Sequence, residues 1–371
     1  MNKNIIHPPP ETSILGIPNA LLAHYGAKPH HAGVPLLAEK LRQGYRNIAL
    51  LVLDGLGIAA LNAHAPDGFL RQHCAAALSS VNPCTTVSAI TTFETGLTPI
   101  EHGWLGWSQY FEEIGKCVDL FTGHQSGTGR PAAERNVVSA AIGYRDLFDQ
   151  IREAAPDVEC CRVSPFGAYY SDTCEAICAH IDTLCKKDGR RYIDAYHFQP
   201  DQDMHQTGCY SERVKADVVL FDKQIEQLAA GLTGTLLIVT ADHGLTDITM
   251  PGIDAYPDIA ACLSAPPTRE PRSLSFFVKE DRKKAFPSLW NAQFGNHFIL
   301  MTGDEAYHSG HFGYGAPHAR SRGFLGDYVA LATGDLGLWY RNEDGKLHDF
   351  KAAHAGLSAK EMMVPLILIE R

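Results

Sequence analysis

Two apolar stretches of this 371-residue chain end in residues that can bind a metal ion. The stretch "LLVLDGLG" (50–57) ends on Asp54, and "LLIVTADHG" (236–244) ends on Asp242 and His243. In open α/β sheets, ligands bind beyond the carboxyl ends of the parallel strands. If both stretches are buried strands, we expect these side chains to meet at one edge of a sheet. Asp-Gly is also an ordinary turn signal, so neither stretch is decisive alone.

Two further segments offer ligands of the same kind. In "QPDQDMHQTG" (199–208), Asp201 and His205 are four residues apart, so one helical turn brings them to the same side. Asp203 lacks this spacing. His354 stands just before the last apolar stretch, which is a better position for a ligand than a solvated loop. The alternatives to it are the histidines of a glycine-rich loop: His308, His311 and His318.

Together these segments supply three aspartates and three histidines. Carboxylate oxygen and imidazole nitrogen suit Zn²⁺, and Mn²⁺ or Fe²⁺ can take the same ligands. Six ligands exceed the needs of one tetrahedral ion but fit two ions with open positions. Two such divalent ions clamp the attacking and the leaving oxygen of an in-line displacement. The pattern therefore favours a two-metal site for an in-line displacement, with zinc as the preferred metal.

A nucleophile is expected in "NPCTTVSAITTFETG" (82–96), where a loop should turn into a helix. A hydroxyl at a helix N-terminus lies beside free backbone N–H groups, which favour an anionic oxygen and bind phosphate oxygens. A metal ion on the same hydroxyl would lower its pKa further. Cys84, Thr85 and Thr86 all lie at this point, and the residue types alone leave the choice among them open. Cys84 suggests a sulfatase, but "CTTVS" lacks the proline and arginine of that motif.

Strand-like and helix-like stretches alternate along the chain, which predicts an α/β fold with a mainly parallel central sheet flanked by helices on both faces. The predicted strands are 46–55, 158–164, 191–198, 234–244 and 363–370. The predicted helices are 85–96, 144–155, 171–187 and 211–232, the last with Ser211 as its N-cap.

The proline-rich region 245–325 differs from this alternation. It contains strand-like residues 273–279 and 297–302 and a helix-like stretch near 282–290. We interpret it as an insertion that forms part of a substrate cap within a single catalytic domain, 1–371. Residues 327–334 are then expected to return the chain to the central sheet.

In this order the motifs resemble the alkaline phosphatase superfamily, most closely its nucleotide pyrophosphatase/phosphodiesterase-like branch. The resemblance spans residues 46 to 371. It rests on Asp54, Thr86, Thr95-Gly96, "PIEHG" (99–103), the Asp-x-x-x-His-x-x-Gly segment of Asp201, His205 and Gly208, the run Asp242-His243-Gly244, and His354. The sequence departs from the branch at Trp107, where the phosphodiesterases carry a phosphate-contacting asparagine, and at Met204, where they carry a glycine.

The resemblance also implies roles for these residues. One metal ion would be held by Asp54, Thr86, Asp242 and His243. The other would be held by Asp201, His205 and His354. Thr86 would be the catalytic nucleophile and become transiently esterified.

We therefore predict a two-metal hydrolase of phosphoric esters, specifically a phosphodiesterase or nucleotide pyrophosphatase with a threonine nucleophile. The alternatives are a carbon–phosphorus hydrolase acting on a phosphonate such as phosphonoacetate, a phosphomonoesterase, and a non-enzymatic metal-dependent binding protein. The expected partner is a small phosphoester or nucleotide. The motifs say nothing about the oligomeric state.

Composition limits the classes of partner. The net charge of −10 argues against a broad basic face for nucleic-acid polymers or anionic membranes. No stretch reaches about 18 uninterrupted apolar residues, and the N-terminus lacks a secretion-signal pattern. These features predict a cytoplasmic protein whose ten cysteines are free thiols.

Overall fold

The computed structural model describes residues 12–371, so the first part of the N-terminal stretch used for the secretion-signal prediction lies outside it. The strands are β1 (Asn47–Leu53), β2 (Cys74–Ser79), β3 (Ser108–Phe111), β4 (Lys116–Asp119), β5 (His124–Gln125), β6 (Arg130–Pro131), β7 (Val158–Ser164), β8 (Tyr169–Tyr170), β9 (Arg190–His197), β10 (Thr235–Thr240), β11 (Thr246–Asp247), β12 (Thr268–Glu270), β13 (Ser273–Phe276), β14 (Phe298–Thr302), β15 (Tyr328–Ala332), β16 (Ala352–Ala353) and β17 (Met363–Glu370). The α-helices are α1 (Gly16–His24), α2 (Pro35–Leu41), α3 (Ile58–His64), α4 (Phe69–Gln72), α5 (Thr86–Thr95), α6 (Pro99–His102), α7 (Val137–Ile142), α8 (Leu147–Ala154), α9 (Cys174–Lys186), α10 (Asp201–Thr207), α11 (Glu212–Gly231), α12 (Pro257–Ala260), α13 (Phe286–Phe294), α14 (Gly303–His308), α15 (Ser321–Phe324) and α16 (Ala359–Met362).

The central sheet has seven strands in the order β2-β17-β10-β1-β9-β7-β8. β1 lies between β10 and β9 and is parallel to both. β17 runs antiparallel to its two neighbours, and the other pairings in this sheet are parallel. Every residue of β1 and β10 is buried, as expected for central parallel strands that helices cover on both faces, and all but Asn47, Thr235 and Thr240 are apolar. The predicted mainly parallel α/β fold is confirmed.

Local signals located several elements closely. β7 and β17 have the predicted bounds, and β9 is displaced by one residue. α11 begins after Ser211, whose side chain accepts a hydrogen bond from the backbone N–H of Val214, as expected for an N-cap. Helices α8, α9 and α11 bury their apolar residues in the same core as the central sheet.

A second, antiparallel sheet has eight strands in the order β14-β15-β13-β12-β3-β4-β5-β6. It combines two chain segments, 108–131 and 268–332. The prediction that residues 327–334 return to the central sheet is wrong, because β15 pairs with β13 and β14. An apolar strand of five residues suits either sheet, and its pattern does not specify its partner. The single domain 1–371 with a cap at 245–325 stays a prediction, and strands from 108–131 also belong to the second sheet.

The register of the central strands brings the predicted ligands together. Val52 is paired with Thr240, and Leu53 with His197, so the segments that follow β1, β10 and β9 leave the sheet side by side. In the part of the chain that the structure describes, no helix is long and apolar enough to cross a membrane.

Candidate active site

The turn after β1 joins three carboxylates. Gly55 has a left-handed backbone (φ 76°), and a Cβ at this position would lie 2.9 Å from the Cα of Asp201. A glycine therefore allows the turn to approach α10 closely. The backbone N–H of Gly55 donates to Oδ1 of Asp242 at 3.1 Å, and that of Asp201 donates to the carbonyl of Asp54 at 3.0 Å. Asp54 is therefore more than a turn residue.

Thr86 is the first residue of α5, and its hydroxyl faces the carboxylates. Its Oγ1 lies 3.3 Å from Oδ2 of Asp54 and 3.3 Å from Nε2 of His243. The hydroxyl of Thr85 is fully buried and instead donates to Oε1 of Glu270 at 2.6 Å. Of the two adjacent threonines, only Thr86 contacts the group of predicted ligands.

A second group lies beside the first. Nε2 of His205 is 3.4 Å from Oδ2 of Asp201, as the helical spacing predicted. Nδ1 of His205 donates to the carbonyl of Ala352 at 2.7 Å, which leaves Nε2 as the atom with a free lone pair. His354 is 4.0 Å from Asp201, and its ring stacks on that of His243 with centroids 3.9 Å apart.

The polar atoms of the site fit divalent cations. Each of the three predicted aspartate ligands has one buried carboxylate oxygen without a hydrogen-bond partner: Oδ1 of Asp54, Oδ1 of Asp201 and Oδ2 of Asp242. Ligand atoms within 4.8 Å of one another form two overlapping groups, Asp54/Asp242/His243 and Asp201/His243/His354. Such buried, unpartnered carboxylates are expected where a metal ion supplies the missing charge.

The pKa shifts agree with this interpretation. Burial, together with the neighbouring carboxylates of Asp242 and Asp201, holds the pKa of Asp54 well above its usual range. Burial and the nearby imidazoles of His243 and His205 hold the pKa of His354 well below its usual range. At neutral pH His354 is therefore neutral and offers a lone pair.

The rival residues have other partners. Asp203 pairs with Arg213 and accepts a hydrogen bond from Gln199. His318 lines a separate cavity of about 230 Å³. The thiol of Cys84 is buried and donates to the carbonyl of Gly356, and burial raises its pKa, so the sulfatase alternative gains no support.

Several supporting residues were not anticipated from the sequence. The hydroxyl of Tyr196, on β9, donates to Oδ2 of Asp54. Its position one residue before the end of a strand that leads to Asp201 was an available signal. Arg272 and Glu361 form a fully buried ion pair, and Glu361 also accepts the backbone N–H of Gly356, in the loop that follows His354. No local sequence pattern predicts this ion pair, because Arg272 and Glu361 are distant in sequence.

Residues 48–265, more than half of the chain, match the family described as type I phosphodiesterase / nucleotide pyrophosphatase. The chain belongs to the type I phosphodiesterase / nucleotide pyrophosphatase family. It is therefore a phosphoester hydrolase of the alkaline phosphatase superfamily. Enzymes of the type I phosphodiesterase family generally depend on divalent metal ions, and the ligands described above fit that requirement. No curated protein matches the chain significantly.

Solved structures share the fold of this family member. Murine ectonucleotide pyrophosphatase / phosphodiesterase 5 is 15% identical, with a TM-score of 0.65 over 87% of this chain and 88% of that chain. An inactive threonine-to-alanine variant of the murine protein was solved in complex with AMP. Phosphonoacetate hydrolase from Sinorhizobium meliloti 1021, in complex with phosphonoformate, is 15% identical, with a TM-score of 0.64 over 88% of this chain and 91% of that chain.

Proposed function

We propose that this enzyme is a two-metal phosphodiesterase whose nucleophile is Thr86. One ion is held by Asp54, Asp242 and His243 together with the Thr86 hydroxyl. The other is held by Asp201 and His205 of α10 and by His354, which lies before β17. Zinc is the metal that this mixed carboxylate and imidazole set favours.

The observation that carries this proposal is the position of the Thr86 hydroxyl. It lies at the start of α5 and 3.3 Å from both Asp54 and His243. Backbone N–H groups at this helix end can bind the phosphoryl oxygens. The unpartnered oxygens of Asp54 and Asp242 lie in the same group, so the nucleophile and its activating charge share one location.

The reaction follows from this arrangement. When bound, the two ions would lower the pKa of the Thr86 hydroxyl and neutralise charge on the phosphoryl and leaving oxygens. Deprotonated Thr86 attacks phosphorus in line; its oxygen–phosphorus bond forms while the bond to the leaving oxygen breaks. Water then cleaves the Thr86 ester and restores the hydroxyl. Tyr196 holds the Asp54 carboxylate throughout by its hydrogen bond.

The substrate we favour is a small diester or a nucleotide with an aromatic leaving group. Trp107 is 42% exposed and packs edge-to-face on Phe121 with ring centroids 6.2 Å apart. Both rings are exposed, Trp107 in the loop before β3 and Phe121 in the turn after β4, and they offer apolar surface. The net charge of −10 disfavours a nucleic-acid polymer.

A phosphonate hydrolase is the second candidate. The support for it is the similar TM-scores of the phosphonoacetate hydrolase and the murine phosphodiesterase against this chain. Both reactions would use the same two metal ions, so the two candidate functions differ in the leaving group that is released.

Turnover of matched substrates tests the proposal. Zinc-loaded protein is incubated with bis(p-nitrophenyl) phosphate, p-nitrophenyl phosphate, a dinucleotide and phosphonoacetate. We expect kcat/KM to be highest for the diesters. Release of phosphate from phosphonoacetate without diester cleavage would favour the second candidate, and no turnover of any of them would contradict both.

A further inference from the structure

One carboxylate oxygen connects the start of α5 to the loop before β3. Oε1 of Glu270 accepts a hydrogen bond from Oγ1 of Thr85 at 2.6 Å and a second from the backbone N–H of Trp107 at 2.7 Å. Thr85 is the N-cap residue of α5 and precedes Thr86 directly. Glu270 therefore joins the residue beside the proposed nucleophile to Trp107, which the motif resemblance aligns with a phosphate-contacting asparagine.

The surroundings of Glu270 are built for close contact. The side chain is 5% exposed, and it stands at the end of β12. Gly106 has φ 151°, and a Cβ there would lie 2.8 Å from the Cβ of Arg269, so the absence of a side chain lets the loop reach β12. A second hydrogen bond, from the hydroxyl of Ser88 to the carbonyl of Trp104 at 2.7 Å, ties the first turn of α5 to the same loop.

Arg269, the neighbour of Glu270, adopts an unusual conformation. It is a non-glycine residue with a left-handed backbone (φ 77°), and it is fully buried. A side chain in this region of backbone space is uncommon and costs conformational energy. Strain of this kind tends to occur at functional sites, where the surrounding structure holds it in place. The distortion lies directly before the residue that makes both hydrogen bonds.

We propose that Glu270 is a positioning residue for phosphoryl transfer, an inference that rests on Thr86 being the nucleophile. One buried oxygen that accepts two short hydrogen bonds, at 2.6 Å and 2.7 Å, can hold Thr85 and Trp107 in one geometry. Holding Thr85 sets the direction in which the Thr86 hydroxyl leaves the helix. A displacement of about 1 Å at a reacting group can lower a rate by about 100-fold. Glu270 lies outside the residues that match the family, 48–265.

Two substitutions of Glu270 distinguish the effect of its hydrogen-bond acceptor from the effect of its negative charge. Glu270→Gln keeps one oxygen that can accept both hydrogen bonds, whereas Glu270→Ala removes the acceptor. Glu94 provides a matched control at the opposite end of α5, where it is largely buried and paired with Arg162 at 3.0 Å. Its replacement by Gln disturbs the same helix away from Thr86.

Kinetics on bis(p-nitrophenyl) phosphate form the first test, with active enzyme counted by the burst of p-nitrophenol. We expect Glu270→Ala to lower kcat by about 10- to 100-fold with KM nearly unchanged, and Glu270→Gln to stay within about threefold of the original enzyme. Glu94→Gln should keep kcat per active enzyme. If Glu270→Ala keeps its kcat, or if Glu270→Gln is as impaired as Glu270→Ala, the proposal is wrong.

Amide hydrogen exchange gives a second test that does not need turnover. Peptides covering the Trp107 amide and the first turn of α5 should exchange faster in Glu270→Ala than in the original protein, and Glu270→Gln should restore protection. Unchanged exchange in Glu270→Ala would overturn the proposal even if the protein is active. If instead the proposed function is wrong, the result is different: Thr86→Ala would keep the diesterase activity of the unmodified enzyme.

Discussion

Oγ1 of Thr86 lies 3.3 Å from Oδ2 of Asp54, at the point where α5 begins and β1 has ended. The contact joins the start of a helix to the carboxyl end of a buried parallel strand. A helix N-terminus and buried carboxylates thus adjoin one hydroxyl, and the proposed role of Thr86 as nucleophile rests on this arrangement.

Replacement of Thr86 tests its role as nucleophile. We expect Thr86→Ala to lower kcat for diesters by about 1,000-fold or more, because the covalent pathway is lost. The free energy of unfolding should change by no more than about 1 kcal/mol, the scale of a single residue at a helix start. Thr86→Ser should keep measurable activity, since its hydroxyl remains. Steady-state kinetics and urea unfolding of each variant are the measurements. If Thr86→Ala keeps near-original activity while Thr85→Ala loses it, Thr85 is the nucleophile and the assignment is wrong.

Metal content tests the ligand assignment. We expect about two divalent ions per chain after reconstitution with zinc. His354→Ala should lose about one ion, because the Asp201 group then lacks a ligand. His318→Ala is the control, since His318 lines a different cavity. Elemental analysis of the dialysed proteins decides between them, and loss of an ion from the His318 variant alone would show that the late ligand was chosen wrongly.

The stability of the metal-free protein should depend on Asp54. The pKa of Asp54 in the folded protein is raised well above its ordinary value of 3.8. Above about pH 3.8 the carboxyl group therefore ionises more readily in the unfolded chain than in the folded protein, so the free energy of unfolding falls as the pH rises. Asp54→Asn removes that cost and should stabilise the chelator-treated protein at neutral pH by about 0.5 to 2 kcal/mol, while abolishing activity.

Thermal unfolding at several pH values measures this effect. The advantage of Asp54→Asn should grow from pH 4 toward neutrality and reverse when zinc is restored, because the metal ion stabilises the ionised aspartate. An Asn variant that is less stable than the original metal-free protein at every pH would show that the carboxylate is not destabilising there.

Trp107 should influence the choice between diesters and monoesters. Its side chain is exposed, and its backbone N–H shares the Glu270 acceptor with Thr85, the N-cap residue of α5. We expect Trp107→Asn to lower kcat/KM for an aryl diester relative to p-nitrophenyl phosphate by about tenfold, roughly the contribution of one stacked aromatic ring. Phe166→Leu, at an exposed aromatic on the loop between β7 and β8, should leave the ratio unchanged. A preference of the unmodified enzyme for the monoester would contradict the diester proposal.

The sequence alone determined most of the central sheet and which residues could serve as ligands. Asp54 and Asp242 were recognisable because each ends a continuous apolar run, and the carboxyl ends of parallel strands share one edge. Asp201 and His205 were recognisable because helical spacing places residues four apart on one side. These signals are local, so they can be read without knowing what lies across the sheet. The identity of the metal and a cytoplasmic location stay predictions.

The tertiary structure decided what local spacing cannot specify. Thr85 and Thr86 carry the same hydroxyl, and only the direction of α5 turns Thr86 toward Asp54 and Thr85 toward Glu270. The second sheet pairs Arg269 of β12 with Ser108 of β3, two residues far apart in the chain. Antiparallel pairing depends on backbone hydrogen bonds that almost any residue can make, so the sequence of each strand leaves its partner open. The contacts of Glu270 arise from that pairing and became visible only in the folded protein.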